Sequence, residues 1–167
     1  KDSNKNTDES LIDIHSKLRP GEPSTLDSAK NQLVTRFFDV FRYDLARVGR
    51  YKFNRKLNVV DRLLGAKIAE TIKVDGKVIV EKDSIITKEV LSELKPILQA
   101  GYGVKEVQIN QDLDTYNKVQ MIKVYSNKHP EKIINVIGND ATIDIKRLTI
   151  SDIYASVSYY LNLWEGI

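Results

Sequence analysis

Cysteine is absent from the 167 residues. Disulfides, thiol nucleophiles and cysteine-based zinc or iron–sulfur sites are thereby excluded, and a reducing compartment is expected. Only two histidines occur, His15 and His129. They are far apart and lack metal-ligand spacing. Each is expected to be a surface residue. No apolar run approaches the ~20 residues of a membrane span. The first ten residues, KDSNKNTDES, lack the apolar centre of a signal peptide. With no initiator Met, and a last residue inside an apolar run, the chain reads as a piece of a longer protein.

Other routes to catalysis are equally thin. Asp112 and Asp114 flank Leu113 without the glycine and terminal glutamate of a calcium-binding hand. Gly101-Tyr-Gly103 is too short for a phosphate loop. Ser156 and Ser158 lie in a helical pattern without a glycine elbow. No constellation supports catalysis by this segment alone.

What the chain does have is a segregated charge. Its net charge is only +3, yet residues 36–56, RFFDVFRYDLARVGRYKFNRK, hold seven Lys or Arg, two Asp and six Phe or Tyr. The segment carries +5 and leaves −2 for the rest, which points to an anionic partner for one region. Arg and Lys neutralise phosphates, and interleaved rings stack on unpaired bases. The competing reading is a solvated helix face. Phe37, Phe38, Phe41 and Phe53 are expected in the core; Tyr43 and Tyr51 are open to either role.

Local signals outline the fold. Residues 1–8 read as a disordered tail. Leu11, Ile14 and Leu18 form one helical stripe, ended by Pro20, which pushes Arg19 out of the α region. Arg19 thus sits at a helix end or in an extended turn, before a stiff Pro-Gly-Glu-Pro connector. Ser24 or Thr25 caps a second helix with the stripe Leu26, Ala29, Leu33 and Phe37. Asp44 caps a short helical turn expected to stop at Gly49. Val59, Leu63 and Leu64 suggest another short helix. Asp75-Gly76 between two β-rich runs predicts a hairpin, because its tight turn needs positive φ. Thr87 caps a helix that Pro96 kinks or shortens. Strands are expected at 104–109, 118–125 and 132–137, with a turn at 138–140 and a short strand at 142–145. Thr149 or Ser151 caps a last helix whose stripe is Ile153, Val157, Tyr160, Leu161 and Trp164. The order gives an α+β fold: a helical segment over 9–65, a mostly antiparallel β-rich insert over 66–147, and a returning helix over 148–167.

The motifs Leu18-Arg-Pro-Gly-Glu-Pro23, Phe37-Phe-Asp39, Arg42-Tyr-Asp-Leu45 and Val48-Gly-Arg-Tyr-Lys-Phe-Asn-Arg55 resemble the β subunit of bacterial DNA-directed RNA polymerase, in its Gram-positive form. Ile134-Asn-Val-Ile-Gly-Asn139 and Ile153-Tyr-Ala-Ser-Val-Ser-Tyr-Tyr-Leu-Asn-Leu163 extend the resemblance, which covers nearly the whole chain. It is most specific at 18–57 and 149–166. The resemblance implies the second half of the β lobe, beside the protrusion, forming one wall of the downstream DNA cleft. It implies that Arg19 and Arg42 contact the non-template strand. Arg50 and Lys52 match the pattern and are assigned only local packing or weak phosphate contact. Asp13, Glu22 and Asp44 are expected to be structural. The implied partners are downstream duplex DNA, the other polymerase subunits and sigma factor. The implied location is cytoplasmic, at the nucleoid, with no membrane. No cofactor is expected in this segment; the enzyme's magnesium is implied to sit on the other large subunit. The nucleotidyltransferase activity would belong to the assembled enzyme, and the fragment alone is expected to be inactive. The insert resembles a barrel-sandwich hybrid and is expected to face solvent or another factor. An independent nucleic-acid-binding module, or a protein-interaction domain resting its basic stretch on an acidic neighbour, are the alternatives.

Overall fold

The computed structural model describes residues 3–37, 44–107 and 117–167. Helix α1 spans Thr7–Leu18, so it begins two residues before the expected start at residue 9 and inside the stretch 1–8 read as a disordered tail. Its cap is Asn6, whose Oδ1 accepts the Glu9 N–H at 2.8 Å, with Asp8 and Glu9 complementing the helix dipole. Helix α2 covers Leu26–Phe37, begun by Thr25, whose Oγ1 accepts the Ser28 N–H. The two helices pack together. His15 is buried in α1, with Nδ1 2.9 Å from Ser24 Oγ. The expectation of a surface histidine is thus corrected: it ties α1 to the start of α2. Phe37 is 37% exposed and Phe53 half-buried, so neither is deep core; Phe38 and Phe41 lie outside the described residues.

Helix α3 runs Ala46–Leu57 and does not stop at Gly49. One interior glycine costs only about 1 kcal/mol, and the helix gains tertiary contacts and a favourable basic last turn of Arg55 and Lys56. Asn58 ends it, its Nδ2 donating to the Arg55 carbonyl at 2.6 Å. A single 3-10 turn, Val60–Arg62, follows.

The strands are β1 (Lys67–Ile68), β2 (Ile72–Val74), β3 (Lys77–Val80), β4 (Val104–Glu106), β5 (Lys118–Tyr125) and β6 (Ile133–Gly138). All pairings among the described residues are antiparallel. β5 is central. One edge pairs with β6 along its length, while the other is shared by β4 near Val119 and β1 near Val124. β2 and β3 form a separate hairpin, turned by Asp75 (φ +49°) and Gly76 (φ +78°), the two positive angles of the predicted turn. The architecture is the expected α+β, and the described strands do not close into a barrel. Helix α4, Lys88–Gln99, is capped by Thr87 and continues through Pro96 rather than being shortened by it. Val59, Leu63, Ile68, Ile86, Leu94, Val124 and Val136 anchor one cluster of buried aliphatic side chains, so residues before and within the β-rich stretch share a core. No described helix is long and apolar enough to cross a membrane.

Two expectations fail near the end of the chain. No strand forms at 142–145, because its carbonyls are taken by side chains: Asn54 Nδ2 donates to Ile143 O at 2.9 Å and Arg50 Nε to Ile145 O at 2.8 Å. Helix α5, Ile150–Trp164, also faces the opposite way. It buries Ser151, Asp152, Ala155, Ser158 and Asn162 and turns Val157, Tyr160, Leu161 and Trp164 outward. The polar face is inward because donors and acceptors converge on it. Ser158 Oγ accepts the Ile137 N–H at 2.9 Å, Asn162 Nδ2 donates to Asn135 O at 3.1 Å, and Arg62 Nη2 donates to Asn162 Oδ1 at 2.7 Å.

Candidate nucleic-acid interface

Arg19 is the residue that ends α1. Its N–H donates to His15 O at 2.9 Å, and its non-helical backbone (φ −133°, ψ 71°) leads through Pro20 to Gly21 at φ +86°. Its side chain is 56% exposed, and Nη1 lies 3.2 Å from Glu22 Oε2, itself exposed. An exposed pair of this kind contributes about 0–1 kcal/mol, so the guanidinium can be exchanged onto a phosphate at little cost. Asp13 is held by Lys17 first and Asn4 second, which lower its carboxyl below the usual range. Arg42 lies outside the described residues. Immediately after it, Asp44 Oδ1 accepts the Ala46 N–H at 2.8 Å, and the Leu45 N–H donates to Lys146 O at 2.7 Å. The start of α3 is thereby pinned to the segment preceding α5.

Of the two roles expected for Arg50, local packing is the one its surroundings fit, and the weak phosphate contact is not. It is 3% exposed. Nη1 donates to Asp152 Oδ1 at 2.8 Å, Nη2 to Arg147 O at 2.6 Å and Nε to Ile145 O. A guanidinium with its donors committed in this way has no face left for phosphate. Asp152 is fully buried. It also accepts Asn139 Nδ2 at 3.0 Å and closes a capping box with Thr149. The Thr149-x-x-Asp152 spacing was visible in the sequence; the partnership with Arg50 was not.

Lys52 is exposed. So are Arg47, Tyr51, Arg55 and Lys56, on a helix without an acidic residue; at about 100° per residue Arg47 and Lys56 stand on opposite flanks of the row through Tyr51 and Arg55. An open groove of about 640 Å³ runs along this row, between Arg47, Tyr51 and Arg55 and a far wall of Ala141–Asp144.

The remaining titratable clusters are architectural. Arg62 lies 5.3 Å from the Tyr159 ring and donates to Ile137 O. Burial lowers its pKa to about 10, against the raising influence of Tyr159, so it stays charged at neutral pH. Glu165, at the end of α5, accepts from Lys132, Ser126 and His129. These contacts, Lys132 foremost, lower its pKa to about 2. Its backbone carbonyl accepts the Asn127 N–H, so the β5–β6 loop is clamped onto α5. Among the described residues, no group of three or more His, Asp or Glu is placed to hold a metal. Asp112 and Asp114 lie outside them.

The site is thus a cationic, ring-bearing surface on an α+β scaffold. No family model matches the chain. Individual proteins do. It is 43% identical over 173 residues to the DNA-directed RNA polymerase subunit beta of Geobacillus thermodenitrificans, covering all of this chain and 14% of that protein. It is 47% identical over 182 residues to that of Ligilactobacillus salivarius, covering all of this chain and 15% of the relative. The same subunit from Enterococcus faecium is 46% identical across 99% of the chain. The chain is homologous, over its full length, to one segment of the DNA-directed RNA polymerase β subunit, and spans about one-seventh of the relatives it matches.

Proposed function

We propose that this segment is part of a bacterial RNA polymerase β subunit and forms a wall of the downstream DNA cleft, with Arg19 and Arg42 contacting the non-template strand. The observation that carries the reading is the 43–47% identity, over the whole chain, to proteins named as that subunit. The exposed, weakly paired guanidinium of Arg19 is compatible with it. Lys52 adds a weaker phosphate contact. The segment works with the other polymerase subunits, sigma factor and DNA, in the cytoplasm at the nucleoid. Nucleotidyl transfer belongs to the assembled enzyme, whose magnesium is held by the other large subunit.

The test is polymerase carrying Arg19→Ala and Arg42→Ala in the β subunit, challenged on promoter complexes over a salt series. Each lost single-strand contact should lower the salt slope by about 0.7 and shorten complex lifetime. Retention equal to that of the unaltered enzyme would remove both assignments.

A further inference from the structure

The outward face of α3 has an order that a merely solvated surface does not need. Arg47, Tyr51 and Arg55 are spaced four residues apart, so they form one row along the helix. Lys52 and Lys56 form a second row beside it. All five are exposed, and Tyr51 is 64% exposed between two guanidiniums. Arg47, Lys52 and Arg55 have no ion pair among the described residues, and Lys56 is steadied 5.5 Å from the Tyr159 ring. The helix itself is fixed from behind by Arg50. The open groove beside the Arg47 row bears one carboxylate, Asp144, on its far wall.

We propose that this face is a single-strand platform: Arg47, Lys52 and Arg55 neutralise phosphates of one nucleic-acid strand while Tyr51 stacks on an unpaired base. Arg47 to Arg55 spans about 12 Å of helix, which at roughly 3.4 Å per stacked nucleotide covers about three to four nucleotides. Three cations suit a backbone of that length, and an exposed ring among them is the feature that separates a single-strand surface from a purely electrostatic one. In a duplex the bases are already stacked, and the ring has nothing to gain. The inference rests on the nucleic-acid reading above but shares only Lys52 with it.

The 167-residue chain is titrated with fluorescein-labelled dT12 and with a duplex of equal length, by anisotropy over a salt series. The native chain should favour dT12 at least fivefold, with a salt slope of about −2.1 for three contacts. Arg47→Gln combined with Arg55→Gln should make the slope shallower by about 1.4. Tyr51→Ala should weaken dT12 binding about 5- to 150-fold with the slope unchanged, and Tyr51→Phe should restore it. All these side chains are exposed, so the variants should melt as the native chain does. Equal affinity for single strand and duplex, insensitivity to Tyr51→Ala, or equal displacement by poly-glutamate would overturn the platform. If it falls while the Arg19→Ala, Arg42→Ala polymerase is still lost from promoters, the cleft-wall reading stands without it. If those polymerases are retained while the dT12 pattern holds, the opposite follows.

Discussion

Replacing Asp152 by Ala should be the most damaging single change in the segment. Asp152 accepts four hydrogen bonds at 2.8–3.0 Å, from Arg50, Asn139 and both the N–H and hydroxyl of Thr149. Its removal leaves the Arg50 guanidinium buried without a counter-charge, at a cost of about 3–5 kcal/mol. Loss of the reciprocal cap on α5 adds about 1 kcal/mol. Against a typical domain stability of about 5–15 kcal/mol, that sum consumes much of what is available. Arg50→Met alone should cost less, because Asp152 keeps three donors while two carbonyls, of Ile145 and Arg147, lose theirs at about 1–2 kcal/mol each. The double variant removes both charges together. Its cost should therefore fall short of the summed single costs by at least about 2 kcal/mol. Urea unfolding of the four proteins, read as midpoints at unchanged m-value, measures this directly. Strict additivity, or an Asp152→Ala cost below about 1 kcal/mol, would refute the idea that the two charges compensate each other across 102 residues of chain.

Two further outcomes are expected. A Cβ added at Gly138 would sit 2.6 Å from Val59 Cγ2 and 2.8 Å from Val59 N, so Gly138→Ala should cost about 1–3 kcal/mol and lower Tm by about 2–10 °C; an unchanged Tm would deny the close approach of β6 to residues 57–59. Glu165 has a folded-state pKa of about 2 against an ordinary 4.5, lowered chiefly by Lys132. Its stabilisation is therefore complete above about pH 4.5 and decays as pH falls toward 2. Glu165→Gln should flatten the stability profile over that window, and urea midpoints falling in parallel for variant and native chain would contradict it.

What was legible in the sequence was chemistry that closes within about four residues. Asp75-Gly76 announced its hairpin because two adjacent positive φ angles suit few other pairs. Thr87 and Thr149 announced helix starts because each hydroxyl accepts an N–H three residues on. The antiparallel run Lys118–Tyr125 was read to its bounds. Arg19 sits at the helix end that Pro20 required. What was not legible depends on partners distant in sequence. Nothing near Arg50 signals that its counter-ion lies in α5. Nothing near Ser158 or Asn162 signals that Arg62 and the β6 backbone will satisfy them. An apolar stripe such as that of α5 is ordinarily the buried face, because unpaired polar groups are costly to bury. Once Asp152, Ser158 and Asn162 are satisfied, that penalty is gone and the helix can lie the other way.

The same logic divides the basic stretch into two kinds of cation. At about 100° per residue, Arg50, Phe53, Asn54 and Leu57 fall on one side of α3, and Tyr51, Lys52, Arg55 and Lys56 on the other. The inward side shows increasing commitment to the scaffold, from half-buried Phe53 and Asn54 to buried Arg50 and Leu57. Asn54 donates to Ile143 O while Arg50 engages Asp152 and two carbonyls. Each anchor reaches the chain between β6 and α5, so rotating α3 about its axis would break several buried polar contacts at once. Lys56 apart, which lies 5.5 Å from the Tyr159 ring, the outward cations are held in orientation by that cost. A charge count over 36–56 treats these residues alike. In the folded chain, one inward guanidinium fixes the helix so that the outward ones present a defined surface, with Tyr51 between them. For the proposed platform, that arrangement would lower the ordering penalty of a strand laid across it, with Arg50 a positioning residue that does not touch the strand.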